Sequence, residues 1–206
     1  MKYKQKDLPH GGKLYYVKNN ISKTSNVEIV FDCGARCEKI PGLAHFTEHM
    51  FFTGTKDLNK EHVTKKYFDF INVNASTNYS RIRFVGNVLT KEFEDYCSTV
   101  AMLITESKFS QKAVDKEISI VQQEIARYQD KFNYHAGAFN DYNISGLEEY
   151  KYEVLGTKDT VGSIKSKDVK EYVKNYFILE NMEIYVSSPL SLKKVRDVVL
   201  KTFVAK

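Results

Sequence analysis

Cysteine and proline are both scarce in this chain, with three of each among 206 residues. The cysteines Cys33, Cys37 and Cys97 are odd in number and lack the spacing of a disulfide framework, which suits a reducing compartment. The prolines form no cluster of the kind found in linkers, and no internal repeat is present. We therefore expect residues 1–206 to form a single domain.

Long apolar runs are also missing. No stretch approaches the length of a membrane span. No apolar run follows the charged N-terminal residues, so we expect no signal peptide. The net charge of +5 comes from lysines scattered along the chain, not from one basic stripe with interleaved aromatics. We expect a cytoplasmic protein that binds neither membranes nor nucleic acid.

Segments with strand and helix patterns are intermixed without regular βαβ alternation. Runs of β-branched and aromatic residues predict strands over 13–17, 27–31, 73–77, 81–88 and 182–186. Apolar residues at helical spacing predict helices over 43–54, 60–70, 90–104, 110–128, 166–176 and 190–203. The Tyr- and Asn-rich region 132–152 receives no assignment. This mixture predicts an α+β domain with a mostly antiparallel sheet.

The chemically informative stretch lies on the first predicted helix, at His45-Phe46-Thr47-Glu48-His49. Residues four apart share one face of a helix, so His45 and His49 can present two imidazoles to one metal ion, with Glu48 beside them. This H-x-x-E-H order inverts the better-known H-E-x-x-H zinc site. The ordinary alternative is a chance pair on an amphipathic helix, but this spacing is uncommon in a chain with five histidines.

A catalytic zinc site needs a third protein ligand, usually imidazole or carboxylate, and keeps one position for water. The predicted helix after Ser110 offers Glu117 and Glu124, which are two turns apart and share a face with Val121. Two carboxylates on a partly apolar face indicate a polar site. Without the histidines, we would favour an ordinary pair of solvated glutamates.

The segment 42–56 resembles the zinc-helix signature of the pitrilysin/insulinase family, the inverzincin metallopeptidases that include mitochondrial processing peptidase. The similarity extends over most of the chain. Further segments match family landmarks in the same order: Gly34 to Glu38, Asn74 to Thr77, Glu117 with Glu124, Leu155 to Thr157, Tyr176, and Asn181-Met182.

The resemblance implies a role for each residue of the site. His45, His49 and Glu124 would bind one zinc ion per chain. Glu48 would be the catalytic general base and proton shuttle. Glu117 would act in catalysis through the ligands, as a carboxylate that tunes the metal site.

The resemblance also implies a fold and a substrate. The fold would be that of LuxS and the processing peptidases, an antiparallel sheet with helices packed on one face. An extended peptide or unfolded polypeptide would dock along the edge strand formed by Asn74, Ala75, Ser76 and Thr77.

The family's active unit pairs two such domains. This chain would be the metal-bearing half, and its partner would be a second homologous half-domain or another copy of the chain. The partner half commonly supplies Arg and Tyr side chains that hold the substrate. We therefore expect metal binding with weak or no turnover by the chain alone.

Three functions stay open at this point. The complete set of ligands and base favours a zinc metalloendopeptidase. The alternative is a non-catalytic peptide-binding or scaffold subunit of a processing-peptidase-like complex. A third reading is a small-molecule zinc hydrolase on the LuxS-type fold, which would need a catalytic cysteine such as Cys33 or Cys37.

Overall fold

The computed structural model describes residues 2–129, 143, 146 and 153–204. The unassigned region 132–152 lies almost wholly outside these residues, and the single-domain boundary of 1–206 stays a prediction.

A six-stranded sheet forms the centre of the fold, in the order β1-β2-β6-β3-β5-β4. Its strands are β1 (Lys4–Asp7), β2 (Lys13–Lys18), β3 (Thr24–Phe31), β4 (Val73–Thr77), β5 (Ile82–Leu89) and β6 (Met182–Ser188). Only β2 and β6 pair in parallel among the described strands, and the other four pairings are antiparallel. The predicted α+β class with a mostly antiparallel sheet is confirmed.

Seven helices are described. They are α1 (Leu43–Met50), α2 (Lys60–Phe68), α3 (Phe93–Glu106), α4 (Gln111–Gln129), α5 (Lys158–Ser163), α6 (Ser166–Tyr176) and α7 (Leu192–Val199). A π-helical turn, Leu200–Val204, continues α7. None of the described helices combines the length and apolar character needed to cross a membrane.

Strand alternation decides which face of the sheet the helices cover. In β5, Ile82, Phe84 and Val88 are buried and face the core, where α3 packs against this strand. Gly86 completes the buried row, because a Cβ there would lie 2.7 Å from the Tyr96 ring of α3. The predicted packing of helices on one face is confirmed. The opposite face carries the stacked rings of Tyr15 and Tyr185, whose centroids are 4.7 Å apart.

Several local predictions were wrong. β1 was missed because all four of its residues are exposed and show no apolar alternation. The short α5 was also missed, and α1 ends at Met50 instead of Gly54. The helix predicted over 90–104 begins at Phe93, because residues 90–92 form a 3-10 turn in which the Thr90 hydroxyl donates to the Lys23 carbonyl at 2.9 Å.

Candidate metal centre

The start of α1 is fixed by an unusual cap. The N-cap residue is Gly42, with φ of 92°, so it offers no side chain to the free N–H groups of the first turn. Instead the Glu38 carboxylate accepts hydrogen bonds from the backbone N–H groups of Gly42 and Ala44, at 2.8 Å each. Burial raises the pKa of Glu38 to about 7, although both N–H donors act to lower it. This carboxylate holds the turn that carries His45.

The helices α1 and α4 bring the predicted ligands together. His49 Nε2 lies 3.3 Å and His45 Nε2 lies 3.8 Å from Glu124 Oε2, and the imidazole centroids are 4.7 Å apart. One potential ligand atom from each of the three side chains lies within 4.8 Å of the others. Within the part of the chain that the structure describes, this is the one such group of three or more His, Cys, Asp or Glu side chains.

The donor set fits zinc in chemistry and in size. Two imidazoles and one carboxylate are the protein ligands of known catalytic zinc sites. Ligand atoms about 2.0–2.1 Å from a tetrahedral ion lie roughly 3.4 Å from each other. The distances of 3.3 and 3.8 Å from Glu124 Oε2 to the two Nε2 atoms are close to that spacing.

His49 lies between two carboxylates. Its Nδ1 is 3.2 Å from Glu117 Oε1, while its Nε2 faces Glu124. Burial alone would lower the pKa of His49, but Glu117 and Glu124 outweigh that effect and raise the pKa to about 9. Glu117 is itself buried and pairs with Lys60, whose Nζ lies 2.6 Å from Oε2. His49 and Lys60 outweigh the burial of Glu117 and lower its pKa, which keeps this carboxylate ionised.

His45 is more deeply enclosed than His49. Burial, assisted by the neighbouring His49, lowers its pKa and keeps the imidazole neutral, which is the form that binds metals. Its Nδ1 is buried and has no hydrogen-bond partner among the described residues.

Glu48 points from α1 towards the edge of the sheet. The Thr77 hydroxyl of β4 donates a hydrogen bond to Glu48 Oε2 at 2.5 Å. Burial raises the pKa of Glu48, which makes the carboxylate a stronger base, while the Thr77 hydrogen bond acts in the opposite direction. The contact fixes one oxygen of Glu48 beside the candidate ligands.

The predicted substrate strand is an edge of the sheet. β4 pairs with β5 on one side and has no strand on the other within the described residues. Its position is held by Tyr67, whose hydroxyl donates to the Asn74 carbonyl at 2.7 Å, and by Arg83, which donates to the Ser76 hydroxyl at 2.8 Å. Ala75 is partly buried and packs against the core.

Sequence reasoning missed two residues of this site. Lys60 carried no signal beyond its place in the first turn of a predicted helix. Glu38 ended the segment from Gly34 that matches a family landmark, but nothing in the pattern assigned it to the helix cap. The Thr77 hydroxyl was placed on the substrate edge, and its contact with Glu48 was not foreseen.

None of the three cysteines belongs to the cluster of candidate ligands. Cys33 and Cys97 are buried, and burial raises the pKa of Cys33 to about 12, so its thiol is a poor nucleophile. Cys37 is partly buried and lies beside α6. All three are free thiols.

The domain combines an α+β fold with a His-His-Glu cluster that is assembled by two helices. One of these helices carries the H-x-x-E-H motif, and these features together define the inverzincin class of domain. Residues 14–147 match the family model described as Insulinase (Peptidase family M16). The chain belongs to this family.

Curated relatives share about a quarter of their aligned residues with this chain. It is 25% identical over 193 residues to the uncharacterized zinc protease YmxG of Bacillus subtilis, covering 92% of this chain and 47% of that protein. It is 26% identical over 205 residues to the probable mitochondrial-processing peptidase subunit beta of Arabidopsis thaliana, covering 95% of this chain and 38% of that protein. The chain therefore spans less than half the length of either relative.

Solved structures share the fold. A protease from Helicobacter pylori superposes with a TM-score of 0.88 at 21% identity, over 99% of this chain and 50% of that one. A peptidase M16 inactive domain from Pseudomonas fluorescens gives a TM-score of 0.86 at 12% identity, over 98% of this chain and 50% of that one. The same fold therefore occurs in a protease and in a domain described as inactive.

Proposed function

We propose that this domain is the metal-bearing half of a zinc metalloendopeptidase that cleaves peptides or unfolded segments. The observation that carries the proposal is the convergence of His45, His49 and Glu124 beside a buried, hydroxyl-bonded Glu48. Membership of the family, and the zinc proteases among its relatives, support zinc as the metal.

His45, His49 and Glu124 would hold the ion. When bound, zinc would supply a water of lowered pKa and a Lewis acid for the scissile carbonyl. Glu48 would take a proton from the attacking water and deliver it to the leaving amine. The Thr77 hydroxyl keeps the Glu48 carboxylate aimed at that water, and Glu117 fixes the ring of His49 through Nδ1.

The substrate would bind as an added strand. The open side of β4 offers backbone N–H and C=O groups to an extended peptide. Because Thr77 contacts Glu48, a peptide paired along Asn74 to Thr77 passes directly beside the general base. This geometry favours unfolded segments over folded proteins as substrates.

The site would be completed by a second half. The chain spans about half of the solved protease from Helicobacter pylori and less than half of its curated relatives. We propose a homologous half-domain, or a second copy of this chain, as the partner that closes the substrate chamber. The compartment stays a prediction of the sequence: free cysteines suit the cytoplasm, and the relatives include a mitochondrial protein by name.

A non-catalytic peptide-binding subunit is the second candidate, because the fold also occurs in a domain described as inactive. The intact ligand set and base favour the enzyme. The small-molecule zinc hydrolase is disfavoured because neither Cys33 nor Cys37 belongs to the cluster of candidate ligands, and burial raises the pKa of the Cys33 thiol.

Metal analysis and peptide cleavage by wild type and Glu48→Gln would test the proposal, with the chain alone and with its partner half. We expect both proteins to hold one zinc ion, and we expect efficient cleavage only by wild type combined with its partner half. Glu61→Gln, an exposed carboxylate in the first turn of α2, is the matched control and should cleave normally. Metal-loaded wild type that binds peptide but never cleaves it, even with a partner half, would instead support the scaffold subunit.

A further inference from the structure

A groove runs from the loop after α1 to the first turns of α4 and reaches Glu117, which contacts the candidate ligand His49. It consists of two adjoining cavities of about 330 and 420 Å³, which share Thr53, Lys60, Ser110 and Ala113 as lining residues. The larger cavity is also bounded by Glu117, the carboxylate that contacts His49. The groove therefore adjoins the candidate metal centre on the side of Glu117.

The walls of the groove are predominantly basic. The lining lysines come from both walls: Lys56, Lys60, Lys108, Lys112 and Lys116. The lining carboxylates are Asp57 and Glu117, and the latter is paired with Lys60. Setting that pair aside leaves four lysines against one aspartate.

Two of these lysines are available to a ligand. Lys112 and Lys116 are exposed, stand one turn apart on α4, and take part in none of the ion pairs found between described residues. Asp115 lies between them in sequence, and it accepts a hydrogen bond from Gln111 at 2.7 Å. On the facing wall, the Lys108 ammonium donates to the Lys56 carbonyl at 2.8 Å.

We propose that this groove binds an acidic side chain of the peptide substrate and so selects where the chain is cut. The inference rests on the proposed peptidase function. The electrostatic fields of lysines that line one concave surface add together there, so a carboxylate in the groove is attracted by several ammonium groups at once. Because an extended peptide advances about 3.3 Å per residue, the acidic residue lies within a few positions of the scissile bond, on one side only.

Peptides in Glu/Gln pairs that differ at one position test the proposal. At low ionic strength we expect wild type to favour the Glu peptide by about 3- to 10-fold in kcat/KM at one or two neighbouring positions. The preference should disappear in Lys112→Met/Lys116→Met and reverse in Lys112→Glu/Lys116→Glu. Lys4→Glu/Lys6→Glu has the same change of net charge on exposed β1, at the far edge of the sheet, and should keep the preference.

The outcomes separate the groove from the activity. Cleavage without any preference for the Glu peptide would contradict the proposed role of the groove and leave the proposed peptidase function standing. An equal loss of that preference in the α4 and β1 double variants would have the same meaning. If no cleavage occurs, zinc-loaded Glu48→Gln is titrated with the same peptides. Tighter binding of the Glu peptide that depends on Lys112 and Lys116 would then support the groove while contradicting hydrolysis, and equal binding would overturn both.

Discussion

Lys60 and Glu117 form an ion pair in which Nζ lies 2.6 Å from Oε2, and the other carboxylate oxygen of Glu117 lies 3.2 Å from Nδ1 of His49. A buried carboxylate thus joins a lysine of α2 to a candidate ligand on α1. Because Lys60 helps to keep Glu117 ionised, Glu117 can accept a hydrogen bond from the Nδ1–H group of His49, which leaves Nε2 directed at Glu124.

Lys60→Met should weaken zinc binding by about tenfold, because the loss of an outer partner of a metal ligand typically costs 10- to 100-fold in affinity. Competition with a chromophoric chelator would measure the affinity. Lys65→Met is the matched control, since Lys65 lies on the same helix and pairs with the exposed Asp69. Lys60→Arg should retain most of the zinc affinity. Equal zinc affinities in wild type, Lys60→Met and Lys65→Met would contradict a role for Lys60.

Glu124→Ala and Glu117→Gln should differ in metal content. Loss of Glu124 removes a proposed ligand, so the purified protein should contain little zinc by elemental analysis. Loss of the Glu117 charge should leave zinc at one per chain under saturating conditions, with reduced affinity. Stoichiometric zinc in Glu124→Ala would show that the third ligand lies elsewhere.

Thr77→Val should lower kcat by about tenfold or more, because a hydrogen bond to a charged group contributes about 1.5–3 kcal/mol and Glu48 would lose its orienting donor. Zinc content should be unchanged, since Thr77 contacts the base and not the ligands. Thr77→Ser keeps the hydroxyl and serves as the control. A rise in KM with normal kcat would instead indicate that Thr77 acts only through the substrate edge.

Glu38 should make the stability of the domain depend on pH. Its pKa in the folded state is about 7, against an ordinary value of 4.5, so the folded chain binds more protons than the unfolded chain between these values. The free energy of unfolding therefore falls as pH rises through this window, by at most about 3 kcal/mol from this group. Urea unfolding at several pH values should show a steeper fall for wild type than for Glu38→Gln. Parallel curves would exclude Glu38 as the titrating group.

Local patterns were enough to predict the two helices that carry the candidate ligands. The H-x-x-E-H spacing and the seven-residue interval between Glu117 and Glu124 depend only on helical periodicity, and the structure brings these side chains together. The supporting contacts could not be predicted in this way. Lys60 meets Glu117 across 57 positions of the chain, and a lysine in a helical first turn has no feature that separates it from a solvated one.

The edges of the sheet were predicted unevenly for a related reason. β1 is exposed throughout, so it lacked the alternation that identified β3 and β5.

The cap formed by Glu38 depends on the left-handed Gly42 and on the close approach of the Leu155 carbonyl, 2.6 Å from where a Cβ at Gly42 would stand. Neither the left-handed conformation of Gly42 nor the approach of the Leu155 carbonyl is encoded in a local pattern.

The two edge strands, β1 and β4, differ in how readily they can pair with a strand of another molecule. β1 has the sequence Lys-Gln-Lys-Asp, and the like charges of Lys4 and Lys6 oppose side-by-side association of two such strands. β4 has the uncharged sequence Val-Asn-Ala-Ser-Thr, which places no such barrier before an incoming strand. Sheet extension is therefore favoured at one edge only, the β4 edge that adjoins the proposed general base Glu48. A strand of another molecule that paired there would also occupy the proposed substrate site.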